Sequence, residues 1–151
     1  MWIKSLKWGV LLGVALSFLE LVRMFARMYE YPNTVFDIVQ IIIFIALLYL
    51  GQKDYKENLN GGYLSFAKAY GIGTIVTVVA ILIYMCYLIF HFSVIETLPL
   101  QRVFDGKITN ALAAALLYSL FPMLCGLFLN LFTAMYLYKK KEDDGKLKGE
   151  N

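Results

Sequence analysis

Five side chains stand where polar chemistry is costly. Glu20 and Arg23 lie at the far end of an apolar run that begins near Leu6, Asp37 and Gln40 open the next run, and His91 lies near the end of the third. A charged group in the middle of a bilayer costs about 2.5–3.5 kcal/mol on insertion scales, so these residues should face other protein groups or a ligand and not acyl chains. Two acids against one deep arginine suggest one chemistry: Glu20 or Asp37 as the titrating group of an ion- or proton-coupled path opening outward, its protonation set by Arg23. The competing reading is structural. Glu20 and Arg23 are three residues apart with the acid first, the order that favours a local ion pair, Arg27 can reach the headgroups, and interhelical polar contacts commonly do no more than orient helices. His91 could join the cluster as a proton relay, or be a hydrogen-bonded group at the membrane surface. The structural reading is preferred, because an internally compensated cluster needs no substrate.

Other chemistry is sparse. Cys86 and Cys125 both lie inside apolar runs, and no Cys-x-x-Cys or Cys/His cluster accompanies the single histidine, so neither a disulfide framework, a metal site nor a cofactor site is expected. No serine or cysteine sits in a nucleophile elbow, and no glycine-rich phosphate loop follows a strand, which leaves an enzyme the least supported class and no catalytic residue to name. A net charge of +3 gives no case for a nucleic-acid partner.

The elements that must hold these residues follow from composition. Of 151 residues, 60% are hydrophobic and 17% charged, against about 45–50% apolar in an ordinary soluble domain. The apolar runs are close to or above the roughly 17–25 residues that cross a bilayer as a helix, and far longer than barrel strands. The expected fold is therefore all-α, an integral membrane four-helix bundle with spans near 5–27, 34–51, 64–95 and 108–138. Ten of the 14 Lys and Arg fall at the amino terminus, in the second connection with the helix start that follows it, and in the tail, while Arg23, Arg27, Arg102 and Lys107 belong to the other side. The positive-inside rule then puts both termini in the cytoplasm. The first run resembles a secretory signal only loosely: it stays apolar through Phe25, and its glycines have a packing use, so it is read as a retained helix.

Residues 28–33 make a short interfacial turn with Tyr29, Tyr31 and Pro32, so the first two helices are antiparallel neighbours. The stretch QKDYKENLNGG (52–62) reads as a polar cytoplasmic turn. Phe66 and Tyr70 beside Lys68 suit an interfacial first turn of the third helix, with Gly71 and Gly73 as points of bending. Residues 96–107 form the largest exposed connection. Pro122 should kink the fourth helix, and the charged tail 139–151 is expected to be disordered.

Each span carries one small-or-polar stripe. On the first it is Gly9, Gly13, Leu16, Glu20, Arg23 and Arg27; on the second Asp37, Gln40, Phe44 and Gly51. The third lines up Gly73, Thr77, Ala80, Tyr84, Tyr87 and His91, and the fourth Ala111, Ala115, Ser119, Pro122, Gly126, Asn130 and Thr133. Helices in lipid associate through close packing over small residues and through polar contacts, so these are the expected inner faces. The Gly9/Gly13 face is also a candidate surface for homo-oligomerisation.

The glycines of KWGVLLG and the stretch NGGYLSFAKAYGIG (60–73), which precedes the long third span, resemble domain-of-unknown-function family 4199 over nearly the whole chain. That resemblance implies a small, mostly four-span protein of a bacterial inner membrane and no established activity. The functional expectation is a non-enzymatic interaction or accessory subunit whose partners are the lipid bilayer and a second copy or another membrane protein. The alternative is a small oligomeric transporter or channel using the outer-leaflet acids.

Overall fold

A computed structural model describes residues 2–25, 34–59, 64–94 and 107–148. They form four helices, α1 (Trp2–Phe25), α2 (Thr34–Leu59), α3 (Phe66–Val94) and α4 (Lys107–Lys148), with no strand among the described residues. Within them, Ser5–Phe25, Thr34–Asn58, Phe66–Ser93 and Ala111–Tyr138 are long and apolar enough to cross a membrane, and the chain is a multi-pass membrane protein of the all-α class. Arg27, the first and third connections and Tyr63 lie outside the described residues.

Cross-helix contacts fix the topology. Arg23 at the end of α1 meets Asp37 at the start of α2, while Trp8 near the start of α1 bonds Asp54 near the end of α2, so the two helices are antiparallel. Gly9 packs on Val79 and Gly13 on Ala80 and Ile83, which makes α1 and α3 parallel. Asn130 reaches Tyr70 and Phe92 meets Tyr118, so α3 and α4 are antiparallel. The result is an up-down-up-down bundle in which α3 is the central, most buried helix, flanked by α1 and α4. Its core joins Leu12, Leu16, Phe44, Leu48, Val76 and Ala80, and a second cluster at the other end holds Tyr55, Leu64, Ala69, Ile72 and Ala134.

The small-or-polar stripes of α3 and α4 are the inner faces. Gly73, Thr77, Ala80, Tyr84 and His91 are buried, as are Ala111, Ala115, Ser119, Gly126, Asn130 and Thr133. Phe18, Ile42, Leu117, Phe121 and Phe128 point outward, as lipid-facing side chains do.

Two boundaries differ from the sequence expectation. The segment from Gln52 to the end of α2 is helix and not a turn. The register of Phe44, Leu48, Gly51 and Tyr55 continues the buried stripe into the polar segment, and the charges there support a helix: Lys53 pairs with Glu57 at 3.8 Å and Asn58 donates to Asp54, both four residues apart. At the other end of the chain α4 continues through Lys148, ten residues into the segment expected to be disordered from 139. Lysine and glutamate are good helix formers, and this segment extends a helix already nucleated in the bundle. Helix α3 runs unbroken through Gly71 and Gly73, and α4 through Pro122.

Candidate functional site: a cavity between the acid-bearing helix ends

At one end of the bundle a half-open cavity of about 360 Å³ brings together Glu20, Asp37 and Gln40 with residues of α3 and α4. Leu16 and Glu20 come from α1, Asp37, Gln40, Ile41 and Phe44 from α2, and Tyr84 from α3. The α4 wall includes Tyr118, Phe121, Pro122, Cys125, Gly126 and Phe128. This size falls in the roughly 300–1,000 Å³ range of small-molecule sites, as does the mixture of a mostly apolar lining with a few polar groups.

Local structure explains how each polar group is held. Glu20 follows Leu12 and Leu16 on the buried side of α1, and its Oε1 accepts a hydrogen bond of 3.0 Å from Tyr84 Oη. Asp37 lies in the first turn of α2, where the positive end of the helix dipole favours a carboxylate. Its Oδ1 is 3.4 Å from Arg23 Nη1, the Arg23 side chain being 21% exposed and that of Asp37 54%. Arg23 thus bridges to α2, where the sequence spacing suggested a pair with Glu20 on the same helix.

On α4, Pro122 has no N–H to give the Tyr118 carbonyl one turn earlier. Gly126 lets the helices close beneath the cavity: a Cβ there would run into the Phe44 ring and come within 2.8 Å of Thr77 Cγ2.

His91 is not part of this lining. It is 2% exposed, against the expectation of a group at the membrane surface, and lies between the rings of Tyr87 and Phe92 at centroid distances of 5.8 and 5.4 Å. Its place on the inner stripe of α3 carries it into the bundle, and its faces are spent on aromatic packing.

A second polar group, unforeseen in the sequence, occupies the opposite end. Gln52 Nε2 donates to Asn130 Oδ1 at 2.6 Å and to the Ala69 carbonyl at 3.3 Å. Asn130 Nδ2 donates to the Tyr70 carbonyl at 2.9 Å and to Thr74 Oγ1 at 3.1 Å. Both amides are fully buried, and Gly73 makes room for them, since a Cβ there would overlap Asn130 Oδ1 and Gln52 Nε2. Asn130 of α4 is thereby hydrogen-bonded to both α2 and α3. The overlooked partner was Gln52, hidden in the segment taken for a turn; the signal was its place directly after Gly51, the last residue of the α2 stripe.

Gly9 and Gly13 also serve the interior. A Cβ at Gly9 would come 2.7 Å from Val79 Cβ, and one at Gly13 2.8 Å from the Ala80 carbonyl oxygen. Helix α3 occupies this face, so it is not open to a second copy of the chain, and the expected oligomerisation surface is corrected accordingly. Among the described residues no three His, Cys, Asp or Glu side chains are grouped as a metal site would require.

The sequence profile of a family described as a protein of unknown function, DUF4199, matches residues 7–117, which take in most of the first span, the whole of the second and third, and all five residues of the polar cluster. No curated protein and no solved structure gives a match.

Proposed function

The chain belongs to the DUF4199 family, and we propose that it is a non-enzymatic interaction or accessory subunit of a bacterial inner membrane, with both termini in the cytoplasm. One observation carries this reading: the side-chain hydrogen bonds between helices are spent on assembling the bundle. Trp8 bonds Asp54, Tyr84 bonds Glu20, Arg23 bonds Asp37 and Gln52 bonds Asn130. What remains outside is a long apolar surface, in which Val35, Ile38, Ile41, Ile42 and Ile45 of α2 and Leu117, Phe121, Leu124 and Phe128 of α4 are exposed. In lipid, such a face associates by shape and packing, which suits a subunit that docks against another membrane protein or a second copy.

The cavity favours a second reading, a small oligomeric transporter or channel in which Glu20 or Asp37 titrates. An acid-lined hollow at membrane depth is the feature such a protein needs. Co-purification from native membranes separates the two. The subunit reading expects a stoichiometric protein partner, and recovery of lipid alone counts against it. The transporter reading requires proteoliposome flux that falls in Glu20→Gln and Asp37→Asn; equal flux in both variants removes it.

A further inference from the structure

We propose that water binds in a polar seam inside the bundle, at Thr77 of α3 and Gln52 of α2, and reaches it from the cavity past the ring of Phe44. Two atoms carry the inference. Gln52 Oε1 and Thr77 Oγ1 belong to fully buried side chains, and neither has a hydrogen-bond partner among the described residues. Turning the amides over does not cure the first. Asn130 Nδ2 must face the Tyr70 carbonyl, which can only accept, so Asn130 Oδ1 is the atom presented to Gln52. That oxygen and the Ala69 carbonyl hold the Gln52 nitrogen toward themselves, and Gln52 Oε1 is left without a donor. The second atom departs from its neighbours: Thr74 Oγ1 donates to the Tyr70 carbonyl at 2.9 Å and Ser17 Oγ to the Gly13 carbonyl at 2.8 Å, whereas Thr77 Oγ1 makes no such bond. Acyl chains offer neither donors nor acceptors, and polar groups that a protein buries without a partner of its own are commonly met by internal water. Water suits both atoms, because it can donate to the amide oxygen and take either role with the hydroxyl.

The seam adjoins the cavity. Phe44 and Gly126 line that cavity, and a Cβ on Gly126 would meet both the Phe44 ring and, at 2.8 Å, Thr77 Cγ2, so ring and threonine pack together against the cavity floor. Gly73 precedes Thr77 by one turn on α3, and Asn130 follows Gly126 by one turn on the antiparallel α4. The Gln52–Asn130 pair beside Gly73 is therefore about 6 Å further along the axis than Thr77. The Phe44 ring makes no hydrogen bond that its movement would break, and it stands as an apolar gate between the cavity and the seam. The inference rests on neither reading of function, since it concerns where water goes and not what the protein moves or docks against.

The test is water-edited solid-state NMR of the full, isotope-labelled chain in lipid vesicles, which times the transfer of magnetisation from water to each assigned carbon. Ala69 and Val76 serve as dry references, both being fully buried, with Ala69 closer than Thr77 to the start of α3. Transfer to Thr77 Cβ and Gln52 Cδ should be about threefold faster than to either reference. Rates at Thr77 and Gln52 no faster than at Ala69 and Val76 overturn the proposal, and this comparison needs no variant. Phe44→Ala takes the ring from the cavity floor, so transfer to Thr77 should rise by about another twofold while Ala69 stays as it was. A Phe44→Ala protein whose other shifts match the wild type and whose Thr77 rate is unaltered also overturns the proposal, because the route past Phe44 is part of it.

Discussion

Gln52 on α2 and Asn130 on α4 are joined by a 2.6 Å hydrogen bond inside the bundle, 78 residues apart in sequence and beside Gly73 of α3. Both side chains are fully buried, so removing Gln52 leaves the Asn130 Oδ1 acceptor unmet, and removing Asn130 leaves Gln52 Nε2 with the Ala69 carbonyl alone and takes a donor from the Tyr70 carbonyl and Thr74 Oγ1. Interhelical hydrogen bonds in membranes average only about 0.6 kcal/mol, but Asn130 makes three, and a buried unsatisfied partner costs about 1–3 kcal/mol. Asn130→Ala should therefore lower stability by about 1–3 kcal/mol, read from thermal unfolding in a fixed detergent. Gln52→Ala added to it should cost less than it does alone, and strict additivity would deny the contact.

Glycines divide by what their missing side chain would meet. Gly13→Ala sets a methyl against the Ala80 carbonyl oxygen and backbone, and should destabilise by about 1–3 kcal/mol through overpacking. Gly71→Ala has open space around it, so the helix propensity gain of up to about 1 kcal/mol should show as neutral or improved stability. Thermal unfolding of the two variants side by side checks the α1–α3 packing; the reverse order would refute it.

The Arg23–Asp37 pair should contribute little to stability. Its Asp37 side is half exposed and the separation is 3.4 Å, which places it with pairs worth about 0.2–1 kcal/mol. A double-mutant cycle with Arg23→Gln and Asp37→Asn should return a coupling in that range. A coupling of several kcal/mol would show the pair to be buried in lipid and essential to the fold.

Topology is open to a direct check. Reporter fusions at the amino and carboxyl termini should both report the cytoplasm, as the concentration of Lys and Arg at that end of the bundle requires. Opposite results would mean that one of the four helices does not cross.

Much of this was legible in the sequence because lipid imposes simple rules. Length and hydropathy mark the spans, and a period near 3.6 aligns Gly73, Thr77, Ala80, Tyr84 and His91 on one face. What stayed hidden has a common cause, that polarity in a segment does not reveal whether it is helix or turn. Gln52 and Asp54 sit in a charged stretch, yet both bond across the bundle. Register alone could not choose the partner of Arg23 either, since Glu20 on its own helix and Asp37 on the next are both within reach. Nor could it show that α3 fills the Gly9/Gly13 face, because small residues favour close approach to any helix, in the same chain or another copy.

The central claim is that four spans turn their polar and small faces toward one another. Labelling with a lipid-soluble carbene precursor in native membranes, read residue by residue by mass spectrometry, tests it most directly. Phe18, Ile42, Leu117 and Phe128 should be modified, while Leu16, Gln52, Val76, Thr77 and Asn130, fully buried or nearly so, should be protected several-fold. Equal labelling of Thr77 or Asn130 and of the outward phenylalanines would contradict the inward-facing bundle.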